Sequence, residues 1–169
     1  MTTLVVFSYG LIYNKIRMEE LKMVRICIAS DHHGVKMKSK IIKYLTKKNY
    51  EVLDLGPETE DAVDYPIYAR KVAKAIVAKE ADFGILICAT GIGMSIACNR
   101  IKGVRCAHVE NESDVKHTRL DNDANVIAFS SELQTYKIYD MLDVFLNTEF
   151  SNEERHRRRV QMIDEDIDD

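Results

Sequence analysis

Phe83-Gly-Ile-Leu-Ile-Cys88-Ala-Thr-Gly91-Ile-Gly93-Met-Ser95 decides how this chain folds. Phe83–Cys88 is a near-continuous apolar run, the mark of a strand covered on both faces. Two glycines then turn the chain into a helix predicted over Ser95–Arg100. The same alternation extends both ways. Upstream, Val24–Ser30 and Glu51–Leu55 are predicted strands. Between them, Val35–Lys48 carries Met37, Ile41, Tyr44 and Leu45 at helical spacing. Gly56-Pro57 ends the second strand, and Pro66 opens a helix with Tyr68, Val72, Ala75 and Ile76 inward. Downstream, Val104–His108 and Asn125–Phe129 are strands, and Ser113–Leu120 a short helix. Leu133–Leu146 is a helix with Ile138, Met141, Leu142 and Phe145 inward, and Asn152–Ile163 a charged last helix. The pattern predicts an α/β fold: a three-layer α/β/α sandwich around an open five-stranded parallel sheet, Rossmann-like.

At 169 residues the chain is one domain, and it can bury a core without disulfide staples. The domain is placed at residues 24–163, after an N-terminal extension (1–23) with no assigned role and before an acidic tail (164–169). Seven glycines and two prolines exclude collagen-like and Pro/Gly-rich disordered chains. A net charge of −3 argues against a nucleic-acid coat. Cys27, Cys88, Cys98 and Cys106 form no C-x-x-C pair and have no histidine at zinc-ligand spacing. They read as reduced thiols in a cytoplasmic protein. The apolar patches before Tyr13 have neither the flanks of a signal peptide nor the length of a membrane span. No metal or cofactor, no nucleic acid and no membrane partner is expected.

Ligands of open parallel sheets bind beyond the carboxyl ends of the strands. Asp31-His32-His33-Gly34 follows the first strand. It is either an Asp-capped turn or a set of acid, base and phosphate-contact groups. Cys88 through Ser95 follows the third strand. Its small residues permit close approach, and its free amides favour an anion. It lacks the third glycine of a dinucleotide fingerprint and the Lys of a Walker loop. Cys88 is either a buried small apolar residue or a thiol with lowered pKa beside a helix N-terminus. Arg119–Asn125 precedes the fifth strand as a polar loop. Arg155 and Arg159 stand at i and i+4, so one helix face presents both guanidinium groups, a geometry suited to phosphate. Together these residues offer a candidate reactive thiol, anion-binding amides and a phosphate clamp.

Asp31-His32, Asp64-Tyr65-Pro66, Leu86–Gly93, Asn122–Val126, Arg155-His156 and Arg159-Val160 together resemble type B ribose-5-phosphate isomerase. The wider family includes galactose- and allose-6-phosphate isomerases. The resemblance runs from Val24 to Ile163. It implies a homodimer, often paired into tetramers, with active sites at the subunit interface. The implied reaction is metal-independent interconversion of ribose 5-phosphate and ribulose 5-phosphate, a step of the pentose phosphate pathway. By resemblance, Cys88 is the base, and Thr90 with the amides of Ala89, Gly91, Ile92 and Gly93 steadies the enediolate. Asp31, His32 and Asn122 contact the sugar or phosphate, Tyr65 lines the pocket, and Arg155 and Arg159 hold the phosphate.

Two positions depart from the family. Asp121 stands where a ring-opening histidine is usual, and Glu132 where a phosphate-binding arginine is common. An ionised Asp121 accepts a proton but is a poor donor. His32 or His33 is the alternative for ring opening. The departures also admit two other functions: an allose- or galactose-6-phosphate isomerase, or a non-catalytic sugar-phosphate-binding homologue.

Overall fold

The computed structural model describes residues 23–165. The expected N-terminal extension up to residue 22, and residues 166–169 of the acidic tail, lie outside the described residues. Among the described residues eleven elements follow one another: β1 (Arg25–Ser30), α1 (Val35–Lys47), β2 (Glu51–Asp54), α2 (Tyr65–Val77), β3 (Phe83–Cys88), α3 (Ile92–Cys98), β4 (Cys106–His108), α4 (Glu112–Asn122), β5 (Val126–Ser130), α5 (Thr135–Asn147) and α6 (Glu154–Asp164). The strands form one parallel sheet in the order β2-β1-β3-β5-β4. Register pairs Ile28 with Ile85 across β1 and β3, and Ile85 with Ile127 across β3 and β5.

The sheet splits the core in two. On one face, Ile26, Ile28, Ile85, Ile87, Ile127 and Phe129 pack against α1, α4 and α5. On the other, Cys27, Ala29, Leu86, Cys88, Val126 and Ala128 pack against α2 and α3. The expected three-layer sandwich is therefore the fold. The chain leaves β1 toward β2 on one side and leaves β3 toward β4 on the other. The carboxyl ends of β1 and β3 thus flank the switch point where such sheets open a crevice.

Several boundaries differ from those read in the sequence, and four of them have a visible cause. α3 begins at Ile92, three residues early, because Gly91 at φ +82° makes the whole turn. β4 shrinks to Cys106–His108. The Asn125 carboxamide takes the Arg105 amide (2.9 Å) and donates to Gly103 O (2.9 Å), replacing the ladder there. Arg119–Asn122 is the last turn of α4 rather than loop. The Arg119 guanidinium, buried against Phe83 and Phe145, holds Asp123 at 2.7 Å and fixes where that helix stops. α6 starts at Glu154 because Asn152 turns at φ +54°.

One buried charge stands at the mouth of the sheet. Lys38, in the first turn of α1, is 2% exposed, and its ammonium meets Asp54 Oδ1 at 2.5 Å. Removing one partner of such a pair strands the other. Because Asp54 itself is 39% exposed, Asp54→Asn is expected to lower the urea-unfolding free energy by about 1–2 kcal/mol, and Lys38→Met in that background to restore most of it. A single variant as stable as the parent would show that the pair contributes nothing.

Candidate active site

Two loops meet at the switch point. Asp31 follows β1 and Cys88 ends β3, and the Asp31 amide donates to Ile87 O at 3.0 Å. Asp31 is buried, and its Oδ1 accepts the amides of His33 (2.9 Å) and Gly34 (3.2 Å). Its Oδ2 lies 3.4 Å from His33 Nδ1. Half of the carboxylate thus builds its own turn, while the other oxygen faces an imidazole. His32 Nδ1 accepts the Val63 amide at 3.4 Å, and its ring lies 4.1 Å from that of His33. Asp31 thus shapes the turn, and the two histidine rings pack together beside it.

The Cys88 loop is held from several directions. The Gly91 amide donates to Cys88 Sγ at 3.0 Å. The Ile92 amide reaches Thr90 Oγ1 at 3.3 Å. Two of the amides assigned to an oxyanion are therefore taken by the loop itself. The amides of Gly93 and Met94 remain, because first-turn helix amides have no acceptor within the helix. Only glycine serves at position 91, where an added Cβ would stand 2.7 Å from the Phe129 backbone. At Gly93 it would stand 2.8 Å from the Tyr65 ring, so Tyr65 lies directly against the loop.

Two groups were not legible in the sequence. Ser130 Oγ donates to Ala89 O at 2.6 Å, and the His108 ring reaches Thr90 O at 2.9 Å through Nε2. They come from β5, beside β3, and from β4 one strand further out, and no local motif marks them. A third feature is the trio Asp31, His32 and His33, whose ligand atoms lie within 4.8 Å of one another. A search for spaced ligands passes over three consecutive residues. Among the described residues it is the one group of metal-holding size, although both Asp31 Oδ1 and His32 Nδ1 already accept amides.

The remaining candidates lie elsewhere. Asp121 and Asn122 end α4 and precede β5, at the opposite edge of the sheet from Cys88. A five-residue strand spans about 16 Å. α6 runs beside that edge: the Ser151 amide donates to Leu120 O, and Arg105 binds Asp164 at 2.6 Å. Arg155 and Arg159 project from α6 into solvent, with Arg155 also bonded to Glu153 at 2.9 Å. Asp121 Oδ1 lies 3.7 Å from the buried His156 Nδ1. A cavity of about 420 Å³ opens there, lined in part by Arg105, Thr118, Asn122 and Asp164. The half-buried Arg105 guanidinium in its wall is already neutralised by Asp123 and Asp164. Glu132 returns to the Cys88 edge, two residues after Ser130. One chain therefore joins Asp31, His32, Tyr65, Cys88, Ala89, Thr90, Gly91, Ile92 and Gly93, and holds Asp121, Asn122, Arg155 and Arg159 apart from them.

Among the described residues no helix is long and apolar enough to cross a membrane.

Comparison with known proteins gives a consistent result. The family model described as ribose/galactose isomerase matches residues 26–163. Ribose-5-phosphate isomerase B of Escherichia coli is 37% identical over 142 residues, covering 83% of this chain and 95% of the relative. The solved structure of a ribose 5-phosphate isomerase from Thermotoga maritima superposes with a TM-score of 0.81 at 43% identity, covering 83% of this chain and 97% of that one. Ribose-5-phosphate isomerase B of Clostridium thermocellum gives 0.81 at 40% identity, covering 83% and 95%.

All four cysteines are buried and unpaired, but they are not equivalent. Burial pushes the Cys27 thiol up to about 12, and burial beside Cys98 raises that of Cys106. Both stay protonated near neutrality, and the thiolate is the nucleophile. Iodoacetamide at pH 7.5 is expected to modify Cys88 before either of them in the folded protein. Peptide mapping that finds Cys27 or Cys106 labelled first would contradict this assignment.

Proposed function

The chain belongs to the ribose/galactose isomerase family and is a sugar-phosphate isomerase, and from that premise we propose that it interconverts ribose 5-phosphate and ribulose 5-phosphate with Cys88 as the base. The observation that carries this reading is the Cys88 sulfur at the switch point, held by the Gly91 amide and adjacent to the Asp31 turn. The Cys88 thiolate takes the proton from C2 of the open-chain aldose, and the electron pair passes to the carbonyl to give an enediolate. The thiol returns the proton to C1, while a hydroxyl proton moves between O2 and O1. The Thr90 hydroxyl accepts from the Ile92 amide, which leaves its own proton to donate to a developing oxyanion. The free first-turn amides of Gly93 and Met94 add to that field. Tyr65, against Gly93, walls the crevice on one side.

The phosphate clamp and Asn122 come from a second copy of the chain. Support comes from geometry: the phosphate-binding guanidiniums lie at the far edge of the sheet from the base. The rim of the Cys88 loop is also apolar, with Ile67 50%, Ile92 51% and Ile96 62% exposed. A grouped apolar surface of this kind marks a protein interface. A two-fold dimer brings the far edge of each copy onto the near edge of the other, and so completes two sites. The enzyme acts in the cytoplasm, where its buried thiols stay reduced.

Cys88→Ala is expected to lower kcat by 10²-fold or more, on the order of a general base's contribution, with the fold intact. A variant that retains turnover would remove Cys88 from this role. Arg159→Ala is expected to raise KM for ribose 5-phosphate with less effect on kcat. Mixing the Cys88→Ala and Arg159→Ala subunits after joint refolding is expected to give about a quarter of parental activity at ribose 5-phosphate far below the KM of Arg159→Ala, since half the dimers then carry one intact site of two. No recovery on mixing would mean that the site is not shared.

A further inference from the structure

His108 ends β4, and its half-buried ring crosses β5 on the α3 face to reach the Cys88 loop. Its Nε2 lies 2.9 Å from Thr90 O. A carbonyl oxygen only accepts, so this nitrogen carries the proton and donates. The other end of the same peptide unit is the Gly91 N–H, which donates to Cys88 Sγ at 3.0 Å. A peptide is one conjugated plane. A hydrogen bond accepted at its oxygen draws electron density from its nitrogen and strengthens the N–H as a donor, as bonded chains polarise one another. The plane cannot swing freely. Gly91 is held at φ +82° against the Phe129 backbone, and Ser130 fixes the preceding carbonyl of Ala89.

We infer that His108 is a positioning residue that acts on the Cys88 sulfur through the Thr90–Gly91 peptide. The imidazole holds the plane at the angle that aims the Gly91 amide at the sulfur, and strengthens that bond when the sulfur bears charge. His108 touches neither substrate nor sulfur. The inference rests on the reading of Cys88 as the base. It adds a third histidine at this edge of the sheet, distinct from His32 and His33, and gives it a task other than ring opening.

The test compares His108→Leu, which removes the donor, with His108→Gln, which keeps an N–H at similar reach. Three quantities are read: kcat and KM for ribose 5-phosphate, the rate of Cys88 alkylation by iodoacetamide at pH 7.5, and the melting temperature. His108→Leu is expected to lower kcat about fivefold and to slow alkylation by a similar factor, the size of one modest hydrogen bond, with KM within about twofold. His108→Gln is expected to return both rates to within about twofold of the parent. If His108→Leu does not fold, His108→Thr supplies a side chain too short to reach Thr90 and is read in its place. Unchanged rates in the donor-less variant overturn the inference. So does a His108→Gln variant as slow as His108→Leu, since that outcome assigns the effect to packing. If the parent turns over no sugar phosphate, the functional reading fails, and the alkylation rates alone decide the part of His108.

Discussion

β3 is the strand on which everything else is hung, because it is covered on both faces. Ile85, Leu86 and Ile87 are wholly buried, alternating between the two halves of the core. A polar side chain along that run would lose its water with nothing to replace it, at a cost of several kcal/mol. Polar chemistry is thus excluded from the body of the strand and confined to its end. Cys88 is where the exclusion stops. Its sulfur belongs to the core by packing and to the site by the Gly91 amide it accepts. The same burial accounts for a thiol at this position. Sulfur packs as a small apolar group in the resting fold and still reacts through its anion.

The loop beyond Cys88 gains rigidity from distant strands rather than from itself. Ser130, His108, Phe129 and Tyr65 each fix one element of it, and they come from β5, β4, β5 and the start of α2. Under the proposed function the base must be held to within a fraction of an ångström, and elements of a packed sheet provide that better than a free loop. This also accounts for the glycines. Gly91 and Gly93 are places where a backbone and a ring come too close for any Cβ.

That division decides what the sequence could reveal. Strand positions were legible because β-branched apolar runs such as Val24–Ser30 and Phe83–Cys88, set between helical patterns, are too short for buried helices and too apolar for loops. The place of Asp31, Cys88 and Thr90 at the ends of β1 and β3 was legible for the same reason, and a parallel sheet puts its ligands there. His108 and Ser130 were not. They lie 18 and 41 residues from the carbonyls they hold, and the contact exists only because β5 inserts between β3 and β4. Strand order is a property of the whole chain and leaves no local mark. The end of α4 failed for a related reason. Asp121 and Asn122 are polar and read as loop, but Arg119, stacked on Phe83 and Phe145, holds the helix together through them. α3 is too short to show a period of its own.

The two family departures constrain the bound substrate under the proposed function. Glu132 stands exposed at the same edge as Cys88. A carboxylate about 4 Å from a phosphate charge meets roughly 4 kcal/mol of repulsion at the dielectric of a protein surface. The phosphate therefore lies away from Glu132 and toward Arg155 and Arg159, which places the sugar across the crevice with its carbonyl end on Cys88. Asp121 reaches the crevice only with that second copy, already facing His156. As an acceptor it can take the proton of the ring hydroxyl, but it cannot supply one to the ring oxygen. The acid must then come from the other wall. Under the proposed function His33, with its Nδ1 3.4 Å from the Asp31 carboxylate, is the more exposed of the two histidines on that wall.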